Sequence, residues 1–405
     1  MHHNRLIRKN TYLSGHKTVI NMCERIKIVN FGPIRQIEIE DIRPLTVFIG
    51  ESGSGKSTIM KVLSLFRWMF KRINLRSFLR NAGATDLKEL TFDMKELLKY
   101  SGIDEYIKPD TEIIYENGKC KISYVNGRLN TPKQSIDQEN LSLNKVCFIS
   151  DKRNEIADVL AGKSRIESSG SYLYDTYSDF KLAVDEMDSF AIDYLGVRLK
   201  KVKEQKKERY IITGLDDDGT SFSVSLENAS SGIQTVSPLA LIVQYYAQSY
   251  NSVEGMNRSI FKYLVDSDDL KNFKPDMNVG DIRNSHVFIH IEEPELSLYP
   301  ESQKALIDFL VDRCFLTDHS KKISIVMATH SPYIVNYLNL LIRRAETKRP
   351  TTEAQIRFDD VDVYDVIEGQ IVSLKVKEPS QVVDARSLSE PISRIYSQYN
   401  SLGKS

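Results

Sequence analysis

The sequence has no excess charge of either sign, and it has little cysteine. Lysine and arginine together number 55, aspartate and glutamate also number 55, and the formal net charge is zero. Overall basicity therefore gives no reason to expect a nucleic-acid partner, although a local basic patch would be enough to bind one. The 4 cysteines among 405 residues show no CxxC spacing, which excludes a disulfide framework and favours a reducing, cytoplasmic setting.

Long apolar runs are missing as well. No stretch approaches the roughly 18 consecutive apolar residues of a membrane-spanning helix, so we expect no membrane partner. The first residues are polar and basic without an apolar segment, which excludes a secretory signal and predicts a flexible N-terminal extension over 1–23. The remaining composition, 41% hydrophobic and 27% charged, is that of an ordinary globular protein.

The first half of the sequence mixes strand and helix patterns. Residues 25–50 alternate apolar and polar residues around turn signals and predict two or three short strands, followed by a helix over 54–73. Residues 75–110 are predicted to be helical, and two Asn-Gly steps within 111–129 predict a hairpin. Residues 154–208 are predicted to be mostly helical, and their basic end, KKVKEQKKER, is interpreted as a solvated helix face rather than a nucleic-acid site.

The second half contains a βαβ pattern. The strands HVFIHIEE at 286–293 and KISIVMATH at 322–330 flank a helical segment at 301–315, which predicts parallel strands with a right-handed crossover. The preceding segment, 251–284, is polar and is predicted to form loops. After the βαβ unit, a hairpin and a C-terminal helix near 387–400 are expected.

A glycine-rich segment, GESGSGKS, follows the predicted strand LTVFI and opens a predicted helix. It fits the phosphate-binding motif G-x-x-x-x-G-K-[S/T] in the context that this motif requires. Glycines let consecutive backbone N–H groups turn toward phosphate oxygens, and the helix N-terminus adds partial positive charge. Lys56 is expected to reach the β- and γ-phosphates, and the Ser57 hydroxyl to bind Mg²⁺. The predicted nucleotide-binding residues here are Gly50, Glu51, Ser52, Gly53, Ser54, Gly55, Lys56, Ser57 and Thr58.

Three carboxylates, Glu292, Glu293 and Glu295, follow the apolar part of the strand HVFIHI. A phosphate loop needs an acidic group at the end of a neighbouring strand, the Walker B position, to hold magnesium. Glu292 is therefore predicted to bind Mg²⁺ and Glu293 to act as general base toward the attacking water. Glu295 is predicted to begin the next turn. The alternative is a strand that simply ends in solvent.

Two further segments point to the same chemistry. His330 ends the next strand and is predicted to contact the γ-phosphate or the attacking water, the alternative being a structural histidine. The segment NASSGIQTVSPLA, 228–240, is a Ser/Gly turn that opens a helix, and it offers a second N-terminus able to bind an anion. The alternative there is a plain helix cap by Ser230 or Ser231.

With these four pieces in this order, the chain resembles the ABC-type ATPase superfamily. It more closely resembles the branch with SMC-like proteins, the overcoming-lysogenization-defect ATPases and related standalone bacterial "AAA family" ATPases of phage defence. The resemblance covers roughly 24–72, 144–154, 222–246 and 284–340. The fold class it implies is α/β: a P-loop NTPase of ABC-ATPase type, with a mixed central sheet, an antiparallel β lobe and a helical insertion.

The resemblance also implies roles for particular residues. SSGIQ corresponds to the LSGGQ signature of the family, with Ile233 in place of a glycine, so Ser231, Gly232 and Gln234 are expected to contact ATP held by a partner subunit. PELSLYP corresponds to the D-loop at the dimer interface, and His330 to the switch histidine.

The position of the family's Q-loop falls in FISDKRN, where Asp151 or Arg153 is the alternative to the glutamine that is absent. The implied cofactors are ATP and Mg²⁺, and the implied assembly is a homodimer or a higher homo-oligomer that holds ATP head to tail.

The expected organisation alternates parts of the ATPase core with insertions. The predicted segments are a flexible extension at 1–23, the first core part with the phosphate loop at 24–72, a helical and β-hairpin insertion at 73–143, a core strand with the Q-loop-like region at 144–153, a helical insertion at 154–210, the second core part at 211–345, and a C-terminal hairpin and helix at 346–405.

Three functions are compatible with these features. The first is a standalone ATPase that controls a separate effector, a nuclease or a toxin, or senses nucleic acid in bacterial anti-phage defence. The second is a DNA-repair or recombination ATPase that clamps DNA, which salt-sensitive and ATP-dependent DNA binding would distinguish. The third is the soluble subunit of a membrane transporter, against which the long insertions argue.

Overall fold

The computed structural model describes residues 23–85, 87–166, 171–204, 207–214, 222–267, 269–317, 320–347 and 353–402. The predicted N-terminal extension at 1–23 therefore lies outside the described residues, except for Cys23.

The described residues form strands and helices in alternation. The strands are β1 Glu24–Phe31, β2 Ile34–Ile39, β3 Leu45–Ile49, β4 Ile107–Asn117, β5 Cys120–Val125, β6 Arg128–Asn130, β7 Ser142–Ile149, β8 Ser189–Ile192, β9 Val197–Glu204, β10 Lys207–Gly214, β11 Ser223–Ser225, β12 Asn284–Glu292, β13 Lys322–Thr329, β14 Val361–Ile367, β15 Gln370–Ser373, β16 Lys375–Val376 and β17 Val382–Val383. The α-helices are α1 Lys56–Asn81, α2 Met94–Tyr100, α3 Glu155–Leu160, α4 Tyr172–Glu186, α5 Ser231–Gln244, α6 Ser252–Ser267, α7 Pro300–Val311, α8 Pro332–Glu346 and α9 Arg386–Leu402.

The central sheet has six strands in the order β15-β14-β3-β13-β12-β7. The five strands from β14 to β7 run parallel, and β15 pairs antiparallel with β14 as the closing hairpin. The unit β12-α7-β13 is the βαβ unit that the sequence predicts. A second sheet, β2-β1-β4-β5-β6, is antiparallel throughout. The predicted fold class, α/β with a mixed central sheet and an antiparallel lobe, is confirmed.

The phosphate-loop helix α1 lies between these two sheets. Strand residues of the central sheet alternate between two cores, as the period of two residues requires. In β3, Val47 and Ile49 join the core beneath α4, α5, α7 and α8, whereas Phe48 joins the core around α1 and the antiparallel sheet. Because both sides of β3 are buried, its sequence LTVFI is apolar except for Thr46, whose hydroxyl donates to the Arg43 carbonyl.

A buried polar network ties the two sheets together through α1. The Arg67 guanidinium on α1 bonds the Glu24 carboxylate of β1 at 2.7 and 2.8 Å, and the Tyr115 hydroxyl of β4 donates to the same carboxylate. On the other side, Arg67 Nη1 lies 3.1 Å from His290 Nε2 on β12, while His290 Nδ1 lies 3.2 Å from the Cys147 carbonyl oxygen. Burial and the Arg67 charge hold the pKa of His290 well below its usual value, so its imidazole is neutral and accepts from Arg67.

Two secondary-structure predictions are wrong. The second half of the supposed helical insertion at 154–210 forms the strands β8, β9 and β10, which with β11 make a four-stranded antiparallel sheet. In β9, Val197 and Leu199 are buried and alternate with more exposed basic residues, so the basic run belongs to a strand and not to a helix face. The supposed loop region at 251–284 contains the 16-residue helix α6.

The predicted insertion at 73–143 also differs in its connections. Helix α1 continues to Asn81, and the hairpin β4-β5 pairs with β1, so these strands complete the antiparallel sheet of the core instead of forming a separate insertion. Across the part of the chain that the structure describes, no helix combines the length and the apolar character needed to cross a membrane.

Candidate functional site: the phosphate loop and its neighbouring strand ends

The carboxyl ends of four parallel strands meet at one edge of the central sheet. The strand register pairs Glu292 with Ala328, and it pairs both Thr329 and Asp365 with Ile49. Each strand therefore ends at the same level, and the residues that follow β3, β12 and β13 emerge side by side. In open α/β sheets this edge is where ligands bind.

The loop after β3 adopts a conformation that glycine makes possible. Gly50, Gly53 and Gly55 have φ angles of 147°, 78° and 112°. A side chain at Gly50 would come within 2.6 Å of the Val366 carbonyl oxygen, and one at Gly55 within 2.5 Å of Ile34 Cδ1. Positive φ and close contacts together require glycine at these two positions.

Two polar groups in this loop are ready for an anionic ligand. The Lys56 ammonium is buried and donates to the carbonyl oxygens of Gly50 and Glu51 at 2.9 and 2.8 Å. Burial lowers the pKa of Lys56, while the carboxylates of nearby Glu293, Glu295 and Asp365 act in the opposite direction. Ser54 Oγ is buried and has no hydrogen-bond partner within the described residues. The first turn of α1 carries no acidic residue. This donor set fits phosphate.

Glu292, at the end of β12, faces the start of α1. It is 5% exposed, and the Ser57 hydroxyl and the Asp151 backbone N–H lie close enough to its carboxylate to favour the ionised form. Burial raises the pKa of Glu292 to about 7, and the Asp151 charge adds to this rise, whereas Lys61 opposes it. A carboxylate and a hydroxyl side by side are hard oxygen donors, which fits Mg²⁺. A nearby cation would keep Glu292 ionised.

Glu293 and His330 face each other across the ends of β12 and β13. His330 Nε2 lies 3.8 Å from Glu293 Oε1, and both side chains are more than a third exposed. Glu293 has a φ of 43°, a left-handed conformation that turns its side chain away from the strand direction. The structure thus brings together the two residues for which the sequence predicts catalytic roles.

Glu295 holds the end of β13 in place. Its carboxylate accepts from Thr329 Oγ1 at 2.8 Å and from the His330 backbone N–H at 2.6 Å. Its backbone also begins the predicted turn, since the Leu298 N–H donates to its carbonyl at 2.9 Å. The sequence accounts for the turn only; the bracing of the histidine depends on contacts between residues far apart in the chain.

The start of α5 is open. Ser230 occupies the cap position, but no side chain caps the helix, so the alternative of a plain serine cap does not apply. Ser231 is exposed. A Cβ on Gly232 would come within 3.0 Å of the Ser297 carbonyl oxygen, so the turn after β12 packs on this glycine. Gln234 differs from the prediction: its amide donates to the carbonyls of Glu227 and Ala229, which holds its own turn instead of leaving the amide for a ligand.

The guanidinium of Arg153 connects this turn to the strand end. Arg153 is fully buried, and its Nη atoms donate to the carbonyls of Glu292 at 2.7 Å and Glu293 at 2.6 Å. Its Nε donates to the Thr235 carbonyl on α5 at 3.1 Å, and Nη1 also donates to the Ser150 carbonyl at 3.0 Å. Burial lowers the pKa of Arg153 to about 10, while nearby carboxylates, Glu295 foremost, favour its charged form.

From sequence alone, Asp151 and Arg153 are alternatives for the Q-loop position. Both contact Glu292: Asp151 by its backbone N–H and Arg153 by its side chain. Asp365, near the end of β14, was missed although it lies close enough to Lys56 to influence its pKa. The available signal was its place near the end of a short strand, a position that many solvated carboxylates also occupy.

A phosphate loop between a buried strand and α1, with acidic and histidine residues at neighbouring strand ends, defines a P-loop ATPase. A family model described as "AAA ATPase domain" matches residues 22–165 and 129–335, which is more than half of the chain. The chain belongs to this AAA ATPase domain family and is an ATPase that uses ATP.

The chain is similar to several solved structures, among them two SMC head domains. An SMC head domain from Thermotoga maritima is 12% identical, with a TM-score of 0.32 and coverage of 88% of this chain and 100% of that chain. An Smc head domain from Pyrococcus furiosus, bound to the C-terminal domain of ScpA, is 11% identical, with a TM-score of 0.33 and coverage of 92% and 99%.

Another similar solved structure is cbiO1 from Clostridium perfringens, part of the ABC transporter complex cbiONQ. It is 11% identical, with a TM-score of 0.28 and coverage of 94% of this chain and 97% of that chain. Among curated proteins nothing matches this chain. Because the TM-scores are low, the assignment above rests on the family model and on the chain's own site.

Proposed function

We propose that the chain hydrolyses ATP at this sheet edge within a head-to-tail homodimer, and that it thereby controls a separate effector. The observation that carries the proposal is the convergence of three pairs of groups at one edge: Ser54 with Lys56, Ser57 with Glu292, and Glu293 with His330. The first pair suits a phosphate, the second a divalent cation and the third an attacking water.

In this proposal the phosphates of ATP lie in the loop 50–57. The Lys56 ammonium exchanges its bonds to two loop carbonyls for bonds to the β- and γ-phosphates, and Ser54 Oγ gains the partner that it lacks. Ser57 and Glu292 hold Mg²⁺, which neutralises charge on the phosphates when bound. Thr58 is buried one position further along α1 and supports the start of the helix.

Glu293 accepts a proton from the attacking water, and His330 orients that water or the γ-phosphate. At a separation of 3.8 Å, Glu293 Oε1 and His330 Nε2 are close enough for one water beside them to contact both. Glu295 and Arg153 act as positioning residues, because one fixes the backbone of His330 and the other the carbonyls of Glu292 and Glu293.

The second copy supplies Ser231 and Gly232 to the γ-phosphate. Two features of this chain support that part of the proposal: the exposed Ser231 hydroxyl and the N-terminus of α5, which no side chain caps. Tyr299, in the turn before α7, is 74% exposed and is available to a second copy. An uncapped N-terminus attracts an anion from outside the chain.

A separate effector requires a surface for a protein partner, and α9 offers one. Within α9, side chains at spacings of three and four residues form an apolar stripe in which each member is at least half exposed; these are Ile392, Ile395, Tyr396, Tyr399 and Leu402. Such a stripe is typical of a helix that packs on another protein. With the resemblance to phage-defence ATPases, it favours a nuclease or a toxin as the effector over DNA alone.

The central experiment is the variant Glu293→Gln. It retains ATP binding, because the loop 50–57 is unchanged, but ATP turnover falls by about 100-fold or more, since an amide cannot accept the proton. Glu301→Gln, an exposed glutamate in the first turn of α7, serves as the matched control and retains turnover. Wild-type turnover in Glu293→Gln would contradict the role given to Glu293.

The effector part is tested with the same variant. Glu293→Gln captured from its native cells in ATP retains a protein partner, and Ile395→Asp with Tyr399→Asp in that background releases it. ATP-dependent DNA binding that weakens steeply with salt, without any protein partner, would instead support the DNA-clamping alternative.

A further inference from the structure

The four-stranded sheet β11-β10-β9-β8 has one covered face and one open face. On the covered face, Leu199 of β9 and Ile212 of β10 belong to the same core as Phe180 of α4. Successive side chains of a strand point to opposite faces, so the residues that alternate with these buried ones form the open face. The open face is partly or fully exposed along β9 and β10, which leaves it available to a partner.

Four cations form a stripe along this open face. Each successive cross-strand pair of β9 and β10 places one cation there; in order along the sheet, these are Arg198, Lys200, Arg209 and Lys207. Neighbouring pairs are two residues apart along the strands, or about 7 Å, so the stripe is about 20 Å long. Glu204 is the one carboxylate on the open face of the described strands. Four cations against one carboxylate leave an excess of three positive charges.

Three of these cations have no ionic partner of their own. Glu204 pairs with Arg209 at 3.1 Å. The remaining three form no ion pair and no side-chain hydrogen bond with any residue that the structure describes; they are Arg198, Lys200 and Lys207. The opposite face of β9 is different, because Lys201 pairs there with both Asp185 and Glu208. Charges of one sign that lie side by side favour the binding of an anion from solution.

Hydroxyl side chains lie beside the stripe. Thr213 of β10 is the cross-strand neighbour of Arg198, and Ser189 of β8 has the same relation to the next cation along the stripe. Arginine, lysine, serine and threonine side chains are groups that proteins use to bind the phosphate oxygens of nucleic acids. No aromatic side chain lies on the open face of the described strands, whereas proteins that bind single strands stack the bases on aromatic rings. The face therefore suits the backbone of a duplex better than unpaired bases.

We propose that this stripe binds the phosphate backbone of a nucleic-acid duplex without regard to base sequence. Each strand of duplex DNA carries about one phosphate per 3.4 Å, so about six phosphates of one strand lie along a stripe of about 20 Å. Duplex RNA shares this backbone chemistry. The stripe lies on a different sheet from the phosphate loop, so its binding of a duplex requires neither ATP nor a second copy. This distinguishes it from a clamp that closes on DNA when ATP binds.

The test measures binding of labelled duplexes of about 20 base pairs by fluorescence anisotropy over a range of salt concentrations, without ATP. Arg198→Gln with Lys200→Gln lowers the affinity at least tenfold at about 50 mM salt. It also reduces the slope of log K against log salt by about 1.8, because two phosphate contacts are lost. Lys203→Gln with Lys99→Gln removes the same charge from exposed positions outside the stripe, on the other face of β9 and on α2, and keeps the affinity within about twofold. Lys56→Ala binds as the wild type does, and melting curves establish that each variant is folded.

Tighter binding of duplex DNA than of duplex RNA assigns the stripe to DNA, and the reverse order assigns it to RNA. The proposal is overturned if the wild type shows no salt-sensitive binding, or if both double variants lose affinity equally. Tighter binding of single strands overturns the assignment to a duplex, and tighter binding of polyglutamate makes an acidic protein the partner instead. Loss of duplex binding in Lys56→Ala would move recognition from the stripe to an ATP-dependent clamp. Failure of the proposed catalytic role is seen separately, in the turnover of Glu293→Gln.

Discussion

Arg153 gives the sharpest test of how the site is held together. Its buried guanidinium bonds the carbonyls of Glu292 and Glu293 at the end of β12 and the carbonyl of Thr235 on α5. Arg153→Met removes these donors but keeps a side chain of similar length. We expect a less stable protein and a slower ATPase, because the end of β12 can then shift relative to α5.

The stability change follows from the partners that remain. Of the four carbonyls that Arg153 bonds, that of Ser150 keeps the Arg153 backbone N–H and that of Glu293 keeps the Leu296 N–H. The carbonyls of Glu292 and Thr235 lose the charged donor that joins β12 to α5. At about 1.5 kcal/mol for each hydrogen bond to a charged group, the loss in the free energy of unfolding is about 3 kcal/mol.

Two measurements check this expectation. Urea unfolding gives the change in stability, and steady-state ATP hydrolysis is expected to fall on the order of 10- to 100-fold, because a displacement of about 1 Å at catalytic groups has such an effect. Arg153→Lys retains the charge but presents a single nitrogen, which cannot bond both β12 and α5, so its turnover stays low while its stability is intermediate. Lys152→Met, an exposed neighbour in the same turn, is the control.

Unfolding of Arg153→Met at the wild-type urea concentration would show that the bonds of this guanidinium do not stabilise the protein. Wild-type turnover in Arg153→Lys would show separately that bridging the two elements is unnecessary for catalysis.

Three further predictions concern the dimer, the switch histidine and pH. Ser231→Arg and Lys56→Ala are each inactive alone, but their equimolar mixture regains up to about one quarter of wild-type turnover, because half of the dimers contain one intact shared site. Glu295→Gln lowers kcat while ATP affinity stays near wild type, since it weakens the bonds that hold the end of β13. Burial raises the pKa of Asp175 to about 6 although the Tyr100 hydroxyl bonds it, so its native state favours the proton. The free energy of unfolding of the wild type therefore falls by about 3 kcal/mol relative to Asp175→Asn as pH rises from about 4 to above 6.

Each of these has a clear contrary result. An inactive mixture whose subunits are shown to exchange would argue against shared sites. Unchanged kcat in Glu295→Gln would make the carboxylate dispensable. Parallel stability profiles of the wild type and Asp175→Asn between pH 4 and pH 7 would mean that Asp175 titrates normally in the folded protein.

Local sequence was sufficient for much of the site. The segment GESGSGKS predicts its own conformation, because positive φ at Gly50 and Gly55 and a helix beginning at Lys56 are short-range properties. The apolar strands before Glu292 and His330 were equally recognisable. Parallel pairing then places both strand ends beside the loop.

Local sequence was insufficient to predict secondary structure in segments where many charged residues obscure the apolar periodicity. The lysines of β9 and β10 suggest a helix face, although the buried pairs Val197 and Leu199 in β9 and Tyr210 and Ile212 in β10 follow the two-residue period of strands. Charged residues are frequent on exposed faces of both helices and strands, so they do not discriminate between the two. The polar composition of α6 concealed a helix for the same reason.

The sequence by itself therefore determined the chemistry of the loop and the identity of the acidic strand end. Only the tertiary structure decided which residues hold them in place. Arg153 meets Thr235 and Glu292 across 82 and 139 residues of chain, and Glu295 meets Thr329 across 34. Such contacts depend on how helices and strands pack, and no periodicity within a short segment encodes them.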